Sequence, residues 1–264
     1  MLTQISIYPI KSCAGIQLSM GEVRDRGFVQ DRRWMLVDDD GLFISQRNTP
    51  RLGQLLVSQK DNGLQVSYAG QDHLELELHP ASHIRQQTQI WGDRVEGMWL
   101  STEYDEWFSR VLGKSVHLIH MSADVKRPLV KERLPQDRSF EVSFADGYPY
   151  LLTTQNSLDD LNARLNQPIP MDRFRPNLVI SGFPPFSEDH WKHIQIGAIE
   201  FLVVKPCARC LVTTMDQKTG IASREPLRTL ATFRKQNGHV MFGMNLVALN
   251  AGSLSLNDPV TIID

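Results

Sequence analysis

The sequence predicts a mainly β, α+β fold with a few short helices, and three observations carry that expectation. Apolar and polar residues alternate in short runs such as "LTQISIYPI" and "IQIGAIEFLVV", as strands with one buried face require. Asp-Gly and Asn-Gly pairs separate several of these runs, the strongest short-range hairpin signal. Helical spacing of apolar residues occurs in only three stretches.

In chain order, "RWMLVDDDGLFIS" folds back at Asp40-Gly41, "LLVSQKDNGLQVSY" at Asn62-Gly63, and "TQIWGDRVEGMWLS" at Gly92-Asp93. The pattern changes near Ser101. "STEYDEWFSRVLG" has a Ser/Thr cap, acids in its first turn, apolar Trp107, Phe108, Val111 and Leu112, and a closing Gly113, which together predict a helix. A strand "VHLIHM" follows, then a charged surface loop from Ser122 to Arg138. "NSLDDLNARLN" predicts a second helix with Ser157 and Asp160 as a capping-box-like start, and "REPLRTLATFRK" a third with Pro226 in its first turn. The later runs, "NLVISG", "CLVTT", "HVMFGMNLVAL" and "DPVTIID", read as strands of a closed or strongly curved sheet. A domain boundary is expected at residue 100, giving units 1–100 and 101–264.

With 264 residues, a net charge of −2 and pI near 6.4, the chain offers no electrostatic case for a nucleic-acid partner. No apolar stretch is long enough for a membrane span, and the N-terminus lacks the parts of a signal peptide. Three cysteines do not make a disulfide framework, so a reducing cytoplasm is the expected compartment.

Two of those cysteines lie in "KPCARCLVTT", and the residues leave several uses open. A redox disulfide needs a helix N-terminus behind the thiol, whereas "CLVTT" reads as a strand. A tetrahedral zinc site could combine His190 and His193 with Cys207 and Cys210. Plain packing fits buried thiols, but Arg209 between the two favours thiolate and an anion. A single thiolate could also bind a metal carried by a phosphorylated cofactor. Such a cofactor needs cations at strand ends, and the chain has them in "YPIKSC", "QDRRW" and "DRFRPN".

Taken in order, "YPIKSCAGI", "DRRWMLVD", "FADGYPYLLTTQNSLDDLN", "RFRPNLVISG", "PFSEDHWKHIQIG", "KPCARCLVTTMDQKTG" and "FGMNLVAL" resemble the MOSC-domain molybdenum proteins over essentially the whole chain. The nearest likeness is to the bacterial N-hydroxylated-compound reductases and mitochondrial amidoxime-reducing components. The resemblance implies an N-terminal β-barrel-like domain followed by a MOSC β-barrel domain. It also implies a molybdenum–molybdopterin cofactor whose metal is bound by Cys210, the catalytic position. Cofactor contacts carry over to Lys11, Ser12, Arg32, Gly147, Tyr148, Arg175, Asn177, Arg209 and Asn245. At the last of these the mitochondrial members carry Tyr. The implied activity is reduction of hydroxylamines, amidoximes and N-hydroxylated bases. Because Cys13, Cys207 and Cys210 cannot form a four-cysteine iron–sulfur cluster, electrons are expected from a separate flavoprotein or ferredoxin-type donor. MOSC domains also resemble the sulfur-carrying part of molybdenum-cofactor sulfurases, in which case Cys210 would hold a persulfide.

Overall fold

The computed structural model describes residues 1–81, 84–129, 134–135 and 138–264. Strands hold 39% of the chain and helices 16%, so the β-dominated expectation stands. The largest sheet runs in the spatial order Val260–Ile262, His193–Ile196, Ile199–Ala208, His239–Ala248, Tyr150–Thr154, Leu178–Ile180, Leu2–Ile7 and Ile16–Leu18. Lys235–Gln236 pairs onto His239–Ala248 at its side. The path is open at both ends, and no closed barrel forms among the described residues. A second sheet joins Trp34–Val37, His117–His120, Asp93–Trp99 and Ile84–Ile90; two three-stranded sheets complete the β structure. No helix among the described residues is long and apolar enough to cross a membrane.

The turn signals act within one residue of the expected positions, with Asp61-Asn62 and Trp91-Gly92 as the connecting pairs. Lys60 pairs with Gly63 and Ile90 with Asp93, closing two-residue connections, while Val37 bridges Phe43 around Gly41 (φ 76°). The first helix spans Thr102–Leu112; Ser101 accepts from the Tyr104 amide and Gly113 closes it in the left-handed region. Its apolar face packs Trp107, Phe108, Val111 and Leu112 into a core with Trp34, Leu36 and Leu118.

Four local expectations are corrected. The second helix, Gln155–Ala163, is capped by Thr154 rather than Ser157, whose hydroxyl bonds the buried Glu188 instead. The third is only Leu227–Leu230 long, because the chain leaves it directly for the Lys235–Gln236 hairpin. "CLVTT" is not a strand. Leu211–Thr214 form a 3₁₀ turn, since Thr213 and Thr214 hydroxyls donate back to the carbonyls of Cys210 and Leu211. The Ser122–Arg138 stretch, of which 130–133 and 136–137 lie outside the described residues, is not simply a surface loop. Arg127 is buried and donates to the carbonyls of Ser143 and Ala145, fixing the approach to residue 146.

Topology explains why distant segments meet. Tyr150–Thr154 and Leu178–Ile180 are parallel, joined by a crossover containing the second helix, so both begin at the same end of the sheet. Leu2–Ile7 runs antiparallel to Leu178–Ile180 and therefore finishes there. Ile199–Ala208 runs parallel to Tyr150–Thr154, both antiparallel to His239–Ala248, and its Lys205 stands level with Leu151 near the start of that strand because both face Asn245. Residues 8–12, 144–148 and 172–177 are thus delivered to one edge, and Cys207–Cys210, just past Lys205, join them around the same cavity.

Candidate functional site

That edge encloses a cavity of about 200 Å³. Its walls include Lys11, Ser12, Arg32, Gly147, Tyr148, Arg175, Asn177, Arg209, Cys210 and Asn245, so the residues to which the family resemblance carried a cofactor or metal contact line one cavity. Cys207 lines it too, and both thiols are half-buried, whereas Cys13 is fully buried in the core and its thiol is pushed up to about 12 by that burial.

The cations are held by the backbone and by one ring. Arg32 (φ 50°) and Arg175 (φ 54°) both sit in the left-handed region, as does Ser12 (φ 71°). Such conformations cost about 1–3 kcal/mol each and persist where the surroundings enforce them. The guanidiniums of Arg32 and Arg175 lie 4.3 and 4.2 Å from the centroid of the buried Tyr8 ring, which sets two like charges against one aromatic surface. Burial pushes the Tyr8 phenol up to about 12 and draws Arg175 below its usual value. Tyr8 is neutral and donates to the Pro176 carbonyl at 3.2 Å.

Asn177 acts as a fixed joint. Its side-chain oxygen accepts from Arg32 at 3.0 Å and from the Leu151 amide at 3.2 Å, while its nitrogen donates to the Ser6 carbonyl. Arg209 donates to the Phe174 carbonyl at 2.6 Å and to Cys207 Sγ at 2.9 Å; its Nε is buried with no partner. Asn245 donates to the Pro206 carbonyl at 3.3 Å, and Lys205 lies 5.3 Å from the Tyr148 ring centroid. Lys11, almost wholly buried, donates to the Phe144 carbonyl at 2.8 Å and pairs with Asp146. Burial draws the Lys11 amine below its usual value, with Asp146 opposing the fall. For Asp146, desolvation raises the carboxyl, but Lys11, the Trp91 indole N–H and Arg47 together hold it well below the carboxylate range.

Two contributors were not singled out in the sequence. Asp146 sits beside Gly147 in the quoted "FADGYP" and was given no role there. Ser45, Gln46 and Arg47 line the cavity from "FISQRN", which reads as an ordinary polar turn. Gln46 is buried and donates to the Ser12 carbonyl at 2.7 Å and to Gln217 at 2.9 Å, pinning this turn to both halves of the chain. Arg47 then reaches Cys210, donating to Sγ at 3.0 Å.

Other candidates separate from the site. Arg33 turns to the Met121 carbonyl, and Arg173 is buried against Asp216. Asp216 accepts from the amides of Lys218 and Thr219 and so caps its own turn. The zinc arrangement does not assemble: His193 pairs with Glu200, and no three metal-ligating side chains cluster among the described residues.

The cavity's chemistry suits a phosphorylated metal cofactor. It has two half-buried thiols in its lining, five cations (Lys11, Arg32, Arg47, Arg175 and Arg209), and a buried guanidinium nitrogen lacking a partner. A Cβ added at Gly147 would meet nothing within 4 Å, so glycine there answers no packing demand of this chain and leaves the space open.

Comparison with known proteins agrees. Residues 1–115 match the MOSC N-terminal beta barrel domain and residues 139–261 the MOSC domain. The chain is 34% identical to mitochondrial amidoxime reducing component 2 of Rattus norvegicus, covering 98% of this chain and 82% of that protein. It is 35% identical to mitochondrial amidoxime-reducing component 1 of Danio rerio, over 98% and 84%. It is also 33% identical to the molybdenum cofactor sulfurase of Oryza sativa subsp. japonica, over 93% of this chain and 32% of that protein.

Proposed function

The chain belongs to the MOSC domain family, and from that premise we propose that it is a molybdenum-cofactor-dependent oxidoreductase that removes oxygen from N-hydroxylated compounds. Hydroxylamines, amidoximes and N-hydroxylated bases are the substrates, and amines or amidines the products. The observation that carries the reading is convergence: one cavity holds an accessible thiol and the cations Lys11, Arg32, Arg175 and Arg209. Two amidoxime-reducing relatives similar over nearly the whole chain support the substrate class.

In this reading Cys210 provides the thiolate ligand to molybdenum. Arg32, Arg175 and Arg209 grip the cofactor phosphate through forked N–H groups, and Lys11 adds a point charge. Ser12, Gly147, Tyr148, Asn177 and Asn245 flank the pterin. When bound, the cofactor supplies two-electron exchange at a metal able to take the oxygen of an N–O bond, chemistry no side chain offers. The protein's own part is preorganisation. Arg32 and Arg175 are held in place by the Tyr8 ring before any ligand arrives, so little reorganisation accompanies binding. Phe43 lines the cavity, and the exposed Trp91 meets its ring edge-on at 4.9 Å. Electrons come from a separate flavoprotein or ferredoxin-type donor in the cytoplasm.

Benzamidoxime reduction with an artificial electron donor tests the reading. The cofactor-loaded wild-type chain is expected to produce benzamidine and Cys210→Ala to produce none; equal turnover in both contradicts it. The similarity to a sulfurase favours one second reading, in which Cys210 carries a persulfide. Persulfide labelling at Cys210 in a chain that turns over no benzamidoxime would select that reading instead.

A further inference from the structure

Arg175 lines two cavities. The second, of about 750 Å³, lies between segments of the N-terminal beta barrel match and of the MOSC match, and Arg175 is the only described residue that borders both. Its volume falls in the range of sites that enclose a whole small molecule. The walls are tied across the two halves of the chain. Gln54 donates to the Lys218 carbonyl at 3.3 Å and accepts from the Tyr68 hydroxyl at 3.4 Å, while Gln217 is held by Gln46.

Charge in this second cavity is unbalanced. Arg32 has the Asp31 carboxylate at 2.5 Å and Arg173 has Asp216 at 3.1 Å. The Arg175 guanidinium rests on the Tyr8 ring and has no hydrogen-bond or ion-pair partner among the described residues. Arg175 and Lys218 against Asp172 leave the lining with one net positive charge. Much of the remaining wall is apolar or aromatic: Tyr68, Ala14, Ala69 and Leu56, a large side chain left 61% exposed. We propose that this cavity is a binding site for a small aromatic monocarboxylate, its carboxylate gripped by Arg175 and its ring laid against Tyr68 and Leu56. A guanidinium fork matches the two oxygens of a carboxylate. Asp172 in the same wall repels a second negative charge, which disfavours a phosphate dianion. The site does not depend on the reductase reading, since Arg175 alone of its residues borders the cofactor cavity.

Titration calorimetry of the full-length chain without cofactor, with cinnamate as the probe, tests this. The wild type is expected to bind cinnamate, and Arg175→Gln to bind it about tenfold more weakly, the scale of one charge-assisted hydrogen bond. Uncharged cinnamamide should bind both proteins alike. Leu56→Asp, a change at an exposed strand position, adds a second carboxylate to the wall and is expected to weaken cinnamate severalfold. It carries the test if Arg175→Gln is recovered unfolded. Arg47→Gln removes a charge from the first cavity alone and should leave cinnamate binding unchanged. The proposal is overturned if the wild type binds no cinnamate, or if Arg175→Gln and Leu56→Asp bind it as the wild type does. An equal loss of cinnamamide in Arg175→Gln overturns it too. So does a loss in Arg47→Gln matching that in Arg175→Gln, which would put the probe in the first cavity. No molybdenum enters the measurement, so its outcome is separate from whether the loaded chain reduces benzamidoxime.

Discussion

The two ends of the large sheet treat buried charge in opposite ways. Where Tyr150–Thr154 finishes, the wholly buried Glu188 carboxyl is met by Ser157 Oγ at 2.8 Å and Thr154 Oγ1 at 3.3 Å, beside the start of the second helix. That network is short, local and satisfied by hydroxyls. Where the same strand begins, Arg32, Arg175 and Arg209 come together from different segments, and Arg209 Nε has no partner at all. Structural polar clusters close on themselves, because an unmet buried donor costs about 1–3 kcal/mol. Arg32 is met by the buried Asp31, and Ser187 Oγ beside Glu188 also lacks a partner among the described residues, so the two ends differ chiefly in how many cations converge on one cavity.

The contrast is broken most strongly by removing a cation from the cavity end. Arg175→Gln is expected to lower pterin content of the purified chain by about an order of magnitude, the scale of one charge-assisted phosphate contact, while leaving thermal melting nearly unchanged. Retention of full pterin would place Arg175 outside the cofactor clamp. At the Glu188 end the effect falls on stability alone. Burial raises the Glu188 carboxyl above its ordinary value of 4.5, with the hydroxyl bonds opposing. Between that value and the folded one, the folded chain binds more protons than the unfolded chain. Stability therefore declines as pH rises through this window and is greatest below it. Glu188→Gln, neutral throughout, should lose that decline and melt a few degrees higher relative to wild type above the window than below it. Melting curves at several pH values decide this, and unchanged pH dependence would show the carboxyl to be ionised without penalty. The smallest effect is expected at Tyr8→Phe, which deletes one hydrogen bond worth about 1 kcal/mol but keeps the ring under both guanidiniums. A large loss of pterin in that variant would mean that the hydroxyl, not the ring, organises the clamp.

Much of this was legible in the sequence, for identifiable reasons. Hairpins at Gly41, Gly63 and Gly92 follow from turn chemistry, and the helix after Ser101 from its cap and apolar spacing. Lys11, Arg32 and Arg175 stand at strand ends in recognisable strings, so their family likeness pointed to a common site. Arg47 was not legible. Its neighbours Ser45, Gln46 and Asn48 look like any polar turn, and only the bolt from Gln46 to Ser12 and Gln217 brings it across to Cys210. The "CLVTT" turn was misread because β-branched composition favours strand, while two threonine hydroxyls bonding back to nearby carbonyls favour a tight turn. Asp146 was passed over because nothing in the sequence shows that Lys11, far away in the chain, folds against it.

The direct measurement is molybdenum bound per chain after purification from a molybdenum-replete host, in wild type and in Cys210→Ser. With Cys210 rather than Cys207 as the metal's thiolate, about one metal per chain is expected in the wild type and close to none in the variant, with folding intact in both. Equal molybdenum in the two proteins would contradict the account.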